Sequence, residues 1–403
     1  MINFILKYLK KKYPRETQRL GNALLAKIQT DINIDFCNDK QPKVLICYAN
    51  IFRINFSYPQ HANIMHYVQM IQYFIKNGYC IDLCYYAEKE AFNVLKNKKY
   101  NVIIGQGEAY KYFCKETYIP VRINFITENH PLTVIEKYRE RLDYFKERHP
   151  HINPNMSISR TGVIDVEQFK ISTHGILMSS NYNALNFREF KFLRKISSNA
   201  IFDKKWTFKN DIILDAISIS RNNILWFGSK GLIHKGLDIL IDAVKDMPIY
   251  LNCYGIQKNE YDLFNKLKAP NIYNKGHINV LSNSFIDEVV LKHNFIIFPS
   301  CSEGMNTAVA TCMAYGIIPI VTKECGFEPA DCILELDDYH VDSIKTTILY
   351  ISNLSDMEIF NLRQQCYKYA REHFTLNNFD RSFKTIMDEI LHNQTVSESP
   401  HVQ

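Results

Sequence analysis

Short apolar runs of strand length recur along the chain, and between them apolar residues return every three or four positions. Lys43–Tyr48 (KVLICY) reads as a buried strand, and Ile64–Asn77 as a helix stopped at Gly78. Strands Tyr79–Tyr85, Asn101–Ile104 and Val121–Ile126 follow, then a charged helix over Leu132–His149. Ile176–Met178 reads as one more strand, with a helix after it through Lys195. A second alternating block starts at Asn223. Its strands are Ile224–Phe227, Ile249–Tyr254, Ile272–Lys275, Phe295–Phe298 and Ile317–Val321. Its helices are Gly236–Lys245, Asn259–Lys268, Leu281–Val290 and Asn306–Tyr315, followed by Val341–Asn353, Ile359–Phe374 and Asn378–Leu391. Strands that are apolar throughout and alternate with helices imply parallel sheets covered on both faces. The chain therefore reads as two α/β blocks in tandem, with a boundary near 205–222.

The ends read differently. Ile2, Ile5, Leu6 and Leu9 share one helical face, with Lys7, Lys10, Lys11 and Lys12 around it, and Pro14 ends the run. This is either a helix docked on the protein itself or a basic interfacial helix on anionic lipid. It does not read as a signal peptide, since its charges follow the apolar stretch and no small-residue cleavage site comes after. Residues from 394 (TVSESPHVQ) read as disordered.

Composition narrows the picture a little. Of 403 residues, 46% are hydrophobic and 22% charged, which is ordinary globular usage. No window approaches the roughly 18 apolar residues of a membrane span. The net charge of +6, from 48 basic and 42 acidic side chains, calls for no nucleic-acid partner. The 11 cysteines are odd in number and scattered, which argues against a disulfide framework and for a cytoplasmic protein. Cys80 and Cys84 form the closest pair, but no second pair or nearby histidine completes a zinc set, so both read as buried thiols.

Doubly wound sheets bind ligands beyond the carboxyl ends of their strands, which directs attention to two loops of the second block. In Phe227-Gly228-Ser229-Lys230-Gly231-Leu232-Ile233-His234-Lys235-Gly236, glycines bring backbone amides close to an anion and Lys235 adds a full charge. The spacing is not that of a P-loop. In Pro299-Ser300-Cys301-Ser302-Glu303-Gly304-Met305-Asn306-Thr307, the residues suit a helix start, and Glu303 can accept the paired hydroxyls of a sugar. Read in isolation, Glu303 is a helix-capping acid and Lys235 a solvated lysine.

Taken together, the stretches FGSKGLIHKGLDILIDA, YLNCYG, KGHI, FIIFPSCSEGMNTAVATCMAYGIIPIVT and YAREHF resemble the donor half of a family 4 glycosyltransferase. The first block resembles the acceptor half through KVLICY, YFIKNGYCIDLCYY and NVIIGQGEAY. ITENHP and ERLDYFKERH resemble the bacterial surface-polysaccharide subgroup. The resemblance implies an α/β GT-B fold, with two facing Rossmann-like, doubly wound parallel-sheet domains. After the basic helical segment, taken as 1–40, it makes 41–210 the acceptor-side domain and 211–377 the nucleotide-sugar-binding domain. A helix at 378–393 crosses back to the first domain, and the tail is 394–403.

By the same resemblance, Lys235 contacts the donor diphosphate and Glu303 holds the sugar. Gly228, Ser229 and Lys230 complete the first loop. Gly304, Met305, Asn306 and Thr307 offer amides to sugar and phosphate, and Gly276, His277 and Ile278 read the nucleobase. Thr311 stands where the family has a second acid for the ribose, and one hydroxyl replaces only part of that contact. Ser229 stands where an arginine is often found. His130 is the candidate first-domain group at the sugar, with Glu128 behind it and His61 toward the acceptor; each also reads as an ordinary structural or surface residue.

The expected activity is that of a retaining, hexosyltransferase-like enzyme. It would move sugar from a nucleotide-sugar donor (UDP-, GDP- or similar) to a glycan or lipid-linked glycan. No cofactor or metal is required by the resemblance, and no Asp-x-Asp sequence is present to hold a metal. The expected location is the cytoplasm or the inner face of its membrane, with residues 1–13 as the membrane contact. A non-catalytic binding subunit and a nucleotide-sugar epimerase are the alternatives. A nicotinamide oxidoreductase is disfavoured, because Gly105-Gln106-Gly107 is only a fragment of the dinucleotide fingerprint.

Overall fold

A computed structural model of the chain describes residues 40–49, 62–87, 92–159 and 165–397. The N-terminal segment through residue 39, His61 and the last six residues lie outside the described set. Two six-stranded sheets carry the fold. The first contains β1 (Lys43–Tyr48), β2 (Cys80–Tyr85), β3 (Val102–Gly105), β4 (Val121–Ile126), β5 (His174–Leu177) and β6 (Leu193–Lys195) in the order β2-β1-β3-β4-β5-β6. The second contains β7 (Asn223–Phe227), β8 (Tyr250–Tyr254), β9 (Ile272–Gly276), β10 (Phe295–Phe298), β11 (Ile318–Val321) and β12 (Leu334–Glu335) in the order β12-β11-β10-β7-β8-β9. Every pairing in the second sheet is parallel. Both sheets are doubly wound. The second leaves β7 toward β8 and β9, then returns to set β10 on the other side of β7. The ends of β7 and β10 thus form its switch point, the place where such sheets open a crevice.

Two compact units emerge from the contacts. One holds the described residues up to Phe125, with those of 163–176 and 189–193. The other holds those of 126–162 and 177–188 and everything from Arg194 onward. The helix Pro131–Arg148 therefore belongs to the second unit, and its contacts there are specific. The helix Leu237–Val244, which follows the first glycine loop, is buried at all eight residues, including Asp238 and Asp242. A buried carboxylate needs a charged partner. Arg148 reaches both acids, and His149 meets Asp242 at 2.7 Å. Burial raises the Asp238 pKa against the opposing pull of Arg148 and Arg141. At Asp242 burial pushes the same way, but His149 and Arg148 outweigh it and the pKa is lowered. Farther back on the helix, Arg141 is fully buried and donates from Nη2 to the Pro299 carbonyl at 2.8 Å.

Arg363 is a different kind of buried cation. On the long helix Asp356–His373, it donates to the carbonyls of Gly316 (2.9 Å) and Val290 (2.8 Å) and to Asn294 Oδ1 (2.9 Å). Burial lowers its pKa to about 10.

The structure corrects several expectations. The helix expected through Lys195 is a single turn, Asn181–Ala184, followed by strand β6. That strand forms because Phe192 O accepts from Gly175 and Ile196 donates to Leu177 O, on the edge of β5. The span at 205–222 contains a helix, Asn210–Ile219, and Gly107–Glu116 is a helix that the sequence pattern did not single out. Leu281–Val290 is a short turn of α-helix, Asn283–Phe285, running into a π turn, Ile286–Val290. The last helix spans Leu376–Ser397, past the expected start of disorder at 394. Cys84 is a free buried thiol, whereas Cys80 is disulfide-bonded and not a thiol.

Candidate functional site

The two loops singled out by sequence leave β7 and β10 side by side and are laced together. In the first, Gly231 O accepts from the Lys235 amide at 2.8 Å and Leu232 O from Leu237 at 3.0 Å, which closes a tight turn. Gly236 completes it at φ +70°, with the Pro299 carbonyl 2.3 Å from where a Cβ would sit, so no other residue fits. Trp226 Nε1 donates to Lys235 O at 3.4 Å. The Lys235 side chain passes 5.0 Å from the centre of the Phe298 ring and donates to Glu303 Oε1 at 2.5 Å. Both partners are buried, at 3% and 9% exposure, so each charge depends on the other for most of its lost hydration.

In the second loop, Ser300 Oγ donates to the same Glu303 oxygen at 3.1 Å. The Glu303 amide donates to Glu324 O at 2.9 Å and the Asn306 amide to Cys325 O at 3.1 Å. Asn306 Oδ1 caps the helix Thr307–Met313 by accepting from Val309 at 3.0 Å. His234 binds the loops together: its Nε2 donates to Ser302 O at 2.5 Å, and its carbonyl accepts from the Cys301 amide at 2.9 Å. That bond makes Nε2 the protonated nitrogen and leaves Nδ1 to accept from the Cys301 thiol, 3.6 Å away. Burial pushes the thiol up to about 12, so it stays protonated.

A polar chain from residues 127–130 and 179–183 supports the Glu303 loop from behind. A Cβ on Gly304 would fall 2.2 Å from Thr127 O, so the two backbones touch. Ser179 Oγ donates to Gly304 O at 2.8 Å, and Asn183 Nδ2 to Glu303 O at 3.1 Å. Asn129 Nδ2 holds Asn183 in turn, at 3.0 Å. His130 sits at the N-terminus of Pro131–Arg148, where its Nδ1 accepts from the Leu132 amide at 3.3 Å while its ring packs on Phe187. Its geometry is that of a helix cap. Glu128, beside it, is half-buried.

The other sequence candidates take these places. Ser229 and Lys230 are exposed, Gly228 is half-buried against Trp226, and Met305 is buried with its sulfur accepting from the Ser198 amide at 3.1 Å. Gly276 adopts φ +74° at the end of β9, beside exposed His277 and half-buried Ile278, on the edge strand of the sheet. Thr311 Oγ1 donates to Thr307 O at 2.8 Å and accepts from the Ile201 amide at 3.0 Å, so its hydroxyl is committed to the fold.

Sequence reasoning missed Glu260. This fully buried carboxylate accepts from the amides of Gly231 and Leu232 in the first loop. No motif marks it, since its partners lie almost thirty residues upstream. A cavity of about 310 Å³ opens beside Met305 and Gly326, lined also by Lys195, Glu328, Tyr369 and His373. A larger one, about 420 Å³, is lined by Lys205–Lys209 and Asn283–Leu291 residues; neither Lys235 nor Glu303 lines either cavity.

No family model matches the sequence, and no curated protein matches it. Solved structures do match in fold. Sucrose-phosphate synthase from Thermosynechococcus elongatus aligns with a TM-score of 0.59 at 12% identity, over 88% of this chain and 100% of that one. HepE from Anabaena, solved with UDP and glucose, aligns with a TM-score of 0.56 at 11% identity, over 87% and 100%. WaaG, a glycosyltransferase involved in lipopolysaccharide biosynthesis, aligns with a TM-score of 0.55 at 11% identity, over 85% and 99%.

The fold is that of the GT-B glycosyltransferases.

In that fold the Lys235 and Glu303 loops occupy the switch point of the second sheet. Among the described residues no helix is long and apolar enough to cross a membrane.

Proposed function

We propose that the chain is a glycosyltransferase that moves a sugar from a nucleotide-sugar donor to a glycan or lipid-linked glycan, with retention at the anomeric carbon. We place it in cell-surface polysaccharide synthesis, at the inner face of the cytoplasmic membrane, with residues 1–13 as the membrane contact. One observation carries the reading: a lysine and a glutamate, on the two switch-point loops of a GT-B fold, meet at 2.5 Å. The likeness to HepE, solved with UDP and glucose, supports a uridine diphosphate donor among the nucleotides to be tested.

The chemistry follows from charge. As the C1–O bond to the diphosphate breaks, positive charge grows on the sugar ring and negative charge on the leaving group. The acceptor oxygen bonds to C1 on the face the diphosphate leaves, and its proton passes to a departing phosphate oxygen. Lys235 would stabilise that oxygen's charge, and Glu303 would hold sugar hydroxyls. His130 or Glu128 would supply a further polar group to the sugar.

A second reading, a binding subunit without turnover, draws support from Thr311. Its hydroxyl is engaged with Thr307 and Ile201, so no acid grips a ribose there. The purified chain, screened by thermal shift against UDP- and GDP-sugars and then assayed for released nucleoside diphosphate, tests both. A stabilising donor that is consumed only with acceptor supports transfer. Conversion of the donor alone indicates an epimerase, and binding without consumption indicates the subunit.

A further inference from the structure

The first glycine loop already holds an anion, and the anion is the protein's own. Glu260 ends a short 3-10 turn, Lys258–Glu260, after β8 and is 0% exposed. Its Oε1 accepts from the amides of Leu232 (2.8 Å) and Ile158 (2.9 Å) and from Ser157 Oγ (3.0 Å), and both oxygens accept from the Gly231 amide (3.2 and 3.0 Å). Ser157 Oγ accepts in turn from the Ile233 amide at 3.1 Å. Three consecutive amides, 231 to 233, are thereby consumed. Successive amides that converge in this way make a concavity suited to an anion, and here a carboxylate fills it. With these three amides taken, this part of the loop acts as a mount. Gly231 is its pivot: the amide is held by Glu260, and the carbonyl accepts from the amide of Lys235 at 2.8 Å. One residue therefore separates the buried acid from the backbone that aims the lysine.

We propose that Glu260 is a positioning residue, which fixes the Gly231–Lys235 turn so that Lys235 points at Glu303 and at the donor diphosphate. The proposal rests on the reading that Lys235 meets that diphosphate. Glu260 touches no substrate; its effect runs through Lys235. Glutamine in its place keeps the shape and the Oε1 contacts but sets an NH2 against the Gly231 amide where Oε2 accepted, so the hold on the turn is weakened.

The test is a double-mutant cycle in the full chain, with UDP and GDP binding by calorimetry and donor KM and kcat measured well below the melting temperature. Glu260→Gln should weaken nucleoside-diphosphate binding about tenfold and raise donor KM. In a Lys235→Ala background the same change should cost less than about twofold. Ser157→Ala, which loosens the same amides while leaving the acid in place, should give a smaller loss with the same dependence on Lys235. This second variant decides the matter if Glu260→Gln does not fold. Equal losses with and without Lys235, or a lowered melting temperature with unchanged binding and KM, overturn the proposal and leave Glu260 a purely structural acid. A wild-type chain that binds neither nucleotide overturns the functional reading first, and this proposal with it.

Discussion

Lys235 and Glu303 each lose most of their hydration on folding and recover it from one another. Truncating either takes its oppositely charged partner from a buried charge, a cost of about 3–5 kcal/mol. Lys235→Ala and Glu303→Gln should therefore both lower the melting temperature, while Lys235→Met with Glu303→Gln should regain much of it. Turnover should not return in the double variant. On the true donor, Lys235→Ala should lose a charge-assisted contact of about 1.5–3 kcal/mol, hence roughly 10–100-fold in kcat/KM; unchanged kinetics would remove Lys235 from the site. His293 makes a separate prediction. Its Nδ1 donates to Val289 O at 2.8 Å, its Nε2 accepts from Asn252 at 3.0 Å, and burial lowers its pKa to about 4. Unfolding restores the ordinary value of 6.5, so the unfolded chain binds the extra proton in between. This stabilisation is complete above pH 6.5, falls away as pH drops toward 4, and amounts to about 3 kcal/mol. Urea midpoints at neutral and acid pH should show a shallower acid loss in His293→Gln; an identical loss would discount His293. Lys235 and Glu303 were legible because glycines and a capping asparagine follow apolar strands. Glu260 was not, because a carboxylate bound to amides far upstream leaves no local pattern.

The buried helix Leu237–Val244 shows what periodicity can and cannot give. Its apolar residues read correctly as a helix, yet Asp238 and Asp242 look like the solvated face of an amphipathic one. They are buried because Arg148 and His149, some ninety residues upstream, arrive to meet them. Arg148→Ala should destabilise by about 3–5 kcal/mol, and adding Asp238→Asn and Asp242→Asn should recover part of that loss. A chemical denaturation series reads both, and additive losses would mean that the charges are independent. The start of Pro131–Arg148 was legible from Pro131 at its first turn, although the residue before it, His130, caps the helix in place of the usual serine or aspartate. Strand β6 was not legible. Three half-buried residues carry no alternation, and only pairing with β5 makes them a strand.

At the scale of the molecule, the parallel sheets were legible because strands covered on both faces must be apolar throughout, as FIIF at β10 is. Their order was not, since neighbours such as β7 and β10 are separated by two further strands in sequence. The two candidate loops follow from rule rather than from order, since doubly wound sheets open their crevice at strand ends. Arg363 joins this sheet in a way that has a practical consequence. Dissolved salt weakens exposed pairs such as Lys292–Glu288 by screening one ion from the other. The Arg363 guanidinium is solvated by two carbonyl dipoles and an amide oxygen, and among the described residues it has no carboxylate counter-ion to be screened. Arg363→Met should thus lower the urea midpoint equally at about 0.05 M and 1 M ionic strength, and the joint it makes between the π turn, Gly316 and the long helix should hold in brine as it does in dilute buffer.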